Sequence, residues 1–489
     1  MATFAVTYLF ILTAGFSRHS MPLSWPGYSQ FYSKLADGFL HHQLSLLDQP
    51  NPKMLALADP YEPGQNHLYR YHDAVLYNGK YYVYWGPAPA LLAAAICKVF
   101  RVRKPTFGDQ YLVFAFLMGT MALAGLLIHR IRATFFGRVS PRTEVVALLS
   151  LALGPPVLFT LARSAVYEAA IVAGQFFLLA AVHLIWTALR GGKAQWVVML
   201  AAGFCLTLSF ASRLSLAPTC AAVALLACWQ VRRRLFSAGV MVAPMICGVA
   251  LLGWYNQARF GSVAEFGLHY QLAGHNQHSP TGEKLSSLYY VPVNLYRYLL
   301  AAPQRAPAFP FIAARNVKPW VSKYFRLPRK FVYDPVLGLV WGQPFLIFSA
   351  AGLAWPLVRR FRRVAREGAG RDVGEQDVPD RRFFNWLMLT LIPVAFFGIV
   401  PAVTLQGSSM RYFLDALPGC TLLAAIGLWV VLSRVASPRA AVWIERAAMF
   451  VVAGEILLAI PLGLVGYYGH FAKFNAPLND YLAGLFRHL

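Results

Sequence analysis

Charge is scarce in this sequence, and so are cysteines spaced to pair. Only 13% of its 489 residues are charged and 58% are hydrophobic, where a soluble domain carries about 25% and about 45–50%. That balance excludes a soluble globular chain and a disordered one; it is the composition of a polytopic membrane protein. Acids are scarcest: 20 Asp and Glu stand against 44 Lys and Arg, a formal net charge of +24. Cys97, Cys205, Cys220, Cys228, Cys247 and Cys420 all lie in apolar runs, none as CxxC, which argues against a disulfide framework and a zinc knuckle. Soluble nucleotide chemistry has no seat. RGGKAQ (190–195) lacks the upstream glycine and the Ser/Thr of a phosphate loop, no GxGxxG opens a helix, and no GxSxG or HExxH occurs.

What is abundant is apolar sequence in long runs. A spanning helix needs about 20 mostly apolar residues. The runs 110–129, 144–162, 167–189, 195–212, 214–231, 236–255, 335–358, 383–402, 412–433 and 447–468 qualify. A shorter one, 2–16, opens the chain with no Lys or Arg before it. It reads as a first span rather than a signal peptide, with a natural start expected upstream. GPAPALLAAAICKVF (86–100) is short and holds two prolines, so an interfacial or re-entrant helix is expected there. The fold class is an all-α polytopic membrane protein of about 11 transmembrane helices, residues 1–489 forming one integral membrane domain.

Basic residues orient it. With the N-terminus inside, the loops 129–143, 190–194, 232–234, 359–382 and 434–446 hold nearly half of the 44 Lys and Arg, and the short outer loops hold few. The positive charge is then topology and contact with anionic membrane lipids, and no nucleic acid is expected as a partner. The inner loop 359–382 reads as a flexible cytoplasmic linker.

Two long outer segments, 17–109 and 256–334, carry most of the His, Asp and mixed aromatic-polar sequence. Tyr28, Phe31, Tyr32, Leu35, Ala36 and Phe39 recur at helical spacing, which predicts an amphipathic helix lying on the membrane. Asp37 falls about 180° from Tyr28, away from lipid, where it could be a solvated acid beside Lys34. Further on, Asn78-Gly79 between Val75–Tyr77 and Lys80–Trp85 predicts a small hairpin with a type I′ turn. Asp73 precedes it, either as a turn cap or as a functional acid. Tyr82, Tyr84 and Trp85 could be an interfacial belt or a substrate contact. In the second segment, Arg259, Glu265, His269, His275 and His278 make NQARFGSVAEFGLHYQLAGHNQH (256–278) a polar surface, without the ligand spacing of a metal site.

Arg163, Arg213 and Arg411 sit where apolar spans meet the outer side. An arginine at a span centre costs roughly 2.5–3.5 kcal/mol, so these belong at the interface or against a cavity. With Glu168 and Asp415 close in sequence, they could be helix-end ion pairs, Arg411–Asp415 having i, i+4 spacing, or together a pocket for an anionic headgroup.

The segments 28–42, DAVLYNGKYYVYWGPAPALL (73–92), SRLSLA (212–217), ARFGSVAEFGLHYQLAG (258–274) and MRYFLDALP (410–418) together resemble the multi-spanning GT-C glycosyltransferases that use polyprenyl-phosphate-linked sugars. The layout looks most like the bacterial branch related to dolichyl-phosphate-mannose mannosyltransferases. The resemblance implies transfer of a sugar from a polyprenyl-phosphate donor to a hydroxyl of a glycan, lipid or protein. It also implies a multi-pass protein of the bacterial inner membrane with a cytoplasmic N-terminus and a periplasmic site. No cofactor is implied, and a divalent metal is not indicated. The family carries its acid in the first outer loop, just after the first helix; SWPGYSQFY (24–32) has none, which leaves the base open between Asp37 and Asp73. Arg213, Arg411 and Arg259 would then bind the donor phosphate, and Tyr82, Tyr84, Trp85, Glu168 and His269 would line the substrate site. Two rivals remain on the sequence: a transporter or flippase, for which Glu455 within 447–468 speaks, and an oligosaccharide polymerase or ligase.

Overall fold

Most of the long apolar runs become single helices. The computed structural model describes residues 1–16, 29–191, 195–231, 235–278, 285–316, 318–325, 327, 331–354, 381–467 and 469–485. Tyr28 and most of the loop 359–382 lie outside them. Among the described residues, seven helices are long and apolar enough to cross a membrane: Asp109–Phe135, Arg142–Leu161, Val166–Arg190, Gln195–Ser212, Leu235–Phe260, Arg382–Thr404 and Pro438–Val465. Five shorter apolar helices accompany them: Ala2–Leu12, Ala88–Val99, Leu214–Gln230, Pro344–Ala354 and Leu417–Leu432. The chain is thus a helical polytopic protein with small two-stranded pieces.

Proline and glycine cut two of the expected spans. Gly154 is extended (ψ 156°), so the helix runs as Arg142–Leu153 and Pro155–Leu161, because a residue before proline avoids the helical region. The run 335–358 is divided the same way, into Leu339–Gly342 and a second piece that starts at Pro344.

Burial separates the middle of the bundle from its rim. Val166–Arg190 and Arg142–Leu161 are each 78% buried over their apolar windows, against 22% for Leu235–Phe260. Val166–Arg190 packs on both Gln195–Ser212 and Asp109–Phe135, and Leu417–Leu432 packs against Arg142–Leu153.

The first outer segment folds onto this bundle. Phe31–Leu40 is a helix, but its apolar face is covered by protein rather than lipid: Phe31, Tyr32, Leu35 and Ala36 are buried, and the helix packs on Ala88–Val99 and Asp109–Phe135. Its polar face differs from expectation as well. Lys34 pairs with Asp48 at 2.8 Å, and Asp37, itself buried, lies 3.3 Å from His41. Asp109 is fully buried at the start of its helix. Its carboxylate accepts the N–H groups of Phe31 (3.1 Å) and Tyr32 (3.0 Å) and the Ser29 hydroxyl. Ser29 in turn accepts the Val166 N–H at 3.2 Å. One acid therefore ties three helix starts together, supplying the acceptors that exposed first-turn N–H groups need.

Val75–Tyr77 and Lys80–Tyr82 form the antiparallel hairpin, with φ of +46° at Asn78 and +68° at Gly79, as a type I′ turn requires. Beyond it, a Cβ on Gly86 would run into the Ala211 carbonyl. The missing side chain lets the backbone at Gly86 pass close against the end of Gln195–Ser212.

The second outer segment is sewn to the end of Arg381–Thr404. Val332–Tyr333 pairs in parallel with Gly407–Ser408. Asn294, on the helix Val291–Leu300, donates to the carbonyls of Val403 (3.0 Å) and Leu405 (2.8 Å).

Candidate functional site

The two outer segments meet over the helix ends and enclose a cavity of about 510 Å³. Its wall from the first segment is His72, Asp73, Tyr84 and Trp85. Asp73 has φ +67°, a left-handed conformation that Asp tolerates better than most residues. Backbone hydrogen bonds hold it there: the Asp73 N–H donates to Leu272 O at 3.1 Å, and the Leu272 N–H donates to Ala74 O at 2.9 Å. That rung brings Gln271 alongside, and its Nε2 donates to Asp73 Oδ1 at 3.0 Å. The same Nε2 lies 3.4 Å from the Tyr167 hydroxyl. Asp73 Oδ1 is 3.8 Å from His72 Nε2.

Arg411 closes the opposite side. Met410–Asp415 is a 3₁₀ helix, so the i, i+4 pairing expected of Arg411 and Asp415 does not form. Asp415 instead takes both Nε and Nη2 of Arg213 on one oxygen, at 3.0 and 2.9 Å. Arg411 lies with its guanidinium over the Tyr167 ring (4.4 Å), 3.6 Å from Glu168 Oε1 and 4.0 Å from Asp334 Oδ2. Its Nε and Nη1 are buried without a hydrogen-bond partner among the described residues. A buried guanidinium with spare donors is a ready acceptor of an anion. Glu168 Oε2 meanwhile accepts the Ala165 N–H at 3.1 Å, fixing the start of Val166–Arg190.

Asp334 is positioned from behind. Arg297 is buried and donates to the Asp334 carbonyl (2.5 Å), the Arg315 carbonyl (3.0 Å) and the Ser408 hydroxyl (2.5 Å). The aromatic rim is Tyr84, Trp85, Tyr167 and Tyr412, with Tyr84 and Trp85 centroids 4.1 Å apart. Burial, reinforced by Tyr167 and Asp73, holds the Tyr84 phenol well above its ordinary pKa. It remains a neutral donor.

The structure brings together Asp73, Arg213, Arg411, Tyr84 and Trp85 around this cavity, joined by Arg163; Glu168 stands behind Arg411. It does not bring in the others. Asp37 sits with His41 on the Phe31–Leu40 helix. Tyr82 packs against Val75 and Phe260. Arg259 is sandwiched by Tyr255 (3.7 Å) and Phe260 (4.5 Å), and donates to Val83 O (2.6 Å) and Asn256 Oδ1 (2.7 Å). It braces the strand leading to Tyr84 rather than facing the cavity. His269 is exposed and bonds Glu265 at 2.7 Å. His275, singled out with its segment, also lines the cavity; Gln271, Tyr167 and Asp334 are among the lining residues that the sequence did not single out. Gln271 lies inside a segment already singled out, yet no spacing marks an amide as the partner of an acid so far away. Among the described residues no three His, Cys, Asp or Glu gather as metal ligands.

No family model matches the chain, and neither does any curated protein sequence. Among solved structures, the chain is similar to the oligosaccharyltransferase of Archaeoglobus fulgidus tethered to an acceptor peptide (12% identity, TM-score 0.44, covering 97% of this chain and 54% of that one). The same protein, AglB, in complex with an inhibitory peptide and a dolichol-phosphate gives 13% identity, TM-score 0.43, 97% and 55%. ArnT from Cupriavidus metallidurans, bound to undecaprenyl phosphate, gives 13% identity, TM-score 0.43, 99% and 76%. The chain spans about half the length of the archaeal enzyme.

Proposed function

We propose that the protein is a membrane glycosyltransferase of the GT-C kind. It moves a sugar from a polyprenyl-phosphate donor to a hydroxyl of a glycan, lipid or protein at the periplasmic face of the bacterial inner membrane, its N-terminus lying in the cytoplasm. One observation supports this above all. An acid, Asp73, and the guanidiniums of Arg213 and Arg411 come from three distant parts of the chain and line a single cavity, with Arg411 keeping buried donors unspent.

The chemistry needs these groups in that order. The acceptor oxygen attacks the anomeric carbon, and the bond from that carbon to the phosphate oxygen breaks, its electron pair leaving with the phosphate. Phosphate is a good leaving group, so the second carboxylate of an ordinary glycosidase is not required. Asp73 takes the acceptor proton. Gln271 occupies Oδ1, and Oδ2 has no hydrogen-bond partner among the described residues. General-base help of this kind contributes about 10²–10⁴-fold. Arg411 binds the departing phosphate, and Arg213, steadied by Asp415, adds positive charge beside it.

The test is a comparison of membrane lipids and envelope glycans between a deletion strain and its parent, with complementation by wild type or Asp73→Asn. A product lost on deletion, restored by wild type and not by the variant, is expected. Full restoration by Asp73→Asn removes the proposed base. The polymerase or ligase reading shares the cavity and differs in the donor, which the accumulating lipid identifies. Glu455, on which the transport reading leans, accepts from the Ser150 hydroxyl (2.6 Å) and the Phe345 N–H (2.7 Å), and lines neither of the two described cavities.

A further inference from the structure

A second cavity, an open groove of about 660 Å³, lies wholly in the first outer segment. Its wall is Lys34, the stretch Asp48 to Pro52, Tyr69, Arg70, Tyr71 and Tyr81. Three phenols, two carboxamides (Gln49 and Asn51) and two prolines make a surface that is polar and aromatic with no aliphatic branch. Such a surface meets a sugar ring on both its chemistries, hydroxyls at the edge and C–H groups on the face.

Charge separates the two cavities. In the groove the cations are already engaged: Lys34 lies 2.8 Å from Asp48 and over the Tyr71 ring at 4.6 Å. Arg70 Nη1 donates to Ala273 O at 2.9 Å and Asn66 Oδ1 at 3.2 Å. In the other cavity, Arg411 has donors to spare. The groove, whose one acid is paired with Lys34 and whose wall is otherwise phenol, carboxamide and proline beside Arg70, suits an uncharged, hydroxyl-rich ligand.

The two are adjacent through one strip of chain. Tyr69, Arg70 and Tyr71 line the groove, and the next two residues, His72 and Asp73, line the other cavity. Two residues span at most about 7 Å. Behind that strip the two walls share one support: buried Phe31, which lines neither cavity, stacks on Tyr71 at 4.8 Å and meets Trp85 at 5.1 Å.

We propose that the groove binds the non-reacting residues of an oligosaccharide acceptor, whose terminal sugar reaches Asp73. The acceptor class is thus a glycan of two or more residues. As an acceptor site it rests on the transferase reading; as a glycan site it does not, and its test reads binding alone.

The full-length protein, purified in detergent, is applied to a printed array of neutral and anionic bacterial-envelope oligosaccharides, with a peptide array beside it. Neutral oligosaccharides of two or more residues are expected to bind. Tyr69→Ala is expected to weaken binding about tenfold, some 1.4 kcal/mol. Gln49→Ala, at an exposed position where folding is not at stake, should weaken it measurably, and Lys104→Ala, at an exposed position outside both cavity walls, should leave it unchanged. The proposal is overturned if no glycan binds, if only peptides bind, or if binding survives both groove variants. Failure of the transferase reading would show separately, as unimpaired product formation by Asp73→Asn in the complementation experiment.

Discussion

Arg213 gives two of its nitrogens to a single oxygen of Asp415, across 202 residues of sequence. The pair is buried, 15% and 1% exposed at the two side chains. Attraction in such a place must outweigh the desolvation of both charges. Removing one partner leaves the other uncompensated. Asp415→Ala is expected to destabilise the protein by about 3–5 kcal/mol, read by unfolding in detergent. The double variant Arg213→Met with Asp415→Leu should recover most of that stability without recovering transfer. Recovered activity in the double variant would show that Arg213 is scaffold alone.

Asp73 and Asp37 are the two acids that the sequence offers as base, and they predict opposite results. Asp73→Asn should lower transfer by about 10²–10⁴-fold with thermal stability unchanged, because Asn accepts the left-handed backbone as Asp does. Asp73→Gly should be as stable and as inactive. Asp73→Ala should be inactive and about 1–2 kcal/mol less stable, since a Cβ opposes that backbone without the local polar compensation. Asp37→Asn, on a helix whose acid faces His41, should leave turnover within twofold of wild type, an order-of-magnitude bound for a group outside the reacting shell. Loss of transfer in Asp37→Asn with Asp73→Asn unimpaired would reverse the assignment.

For Arg411 the informative change keeps the charge and removes the fork. Arg411→Lys still compensates Glu168, so the fold should hold. A single ammonium cannot give two parallel hydrogen bonds to a phosphate. The expected result is a rise in KM for the lipid-linked donor of about tenfold or more, measured with membranes from a deletion strain. An unchanged KM would mean that the buried nitrogens never meet the phosphate.

Asp109 is expected to act on stability alone. It caps the Phe31–Leu40 helix from outside that helix, and Asp109→Ala should cost about 1–2 kcal/mol. Residual transfer should track the folded fraction.

Hydropathy locates the long helices because lipid leaves no other way to satisfy backbone groups over 20 residues. It misplaces what is decided by local covalent geometry, as where Gly154 and Pro155 split one helix and Pro344 begins another. It also cannot distinguish lipid from protein as the cover of an apolar stripe, so Phe31–Leu40 reads as a surface helix although neighbouring helices bury it. The arginines of the site are legible because a charge at the end of an apolar run needs a reason. Asp334 and Gln271 are not, since they come from irregular loops whose partners lie far away along the chain. Arg259 misleads for a related reason: sequence shows a cation near the outer side but not the two rings and the carbonyls that already hold it.

Asp73 and Gln271 ride on the same rung of peptide hydrogen bonds, through Leu272 and Ala74. The spacing between carboxylate and amide is therefore inherited from main-chain geometry and does not depend on how tightly the surrounding side chains fit. A substitution among the surrounding side chains that spares this rung should leave the acid and its amide in register.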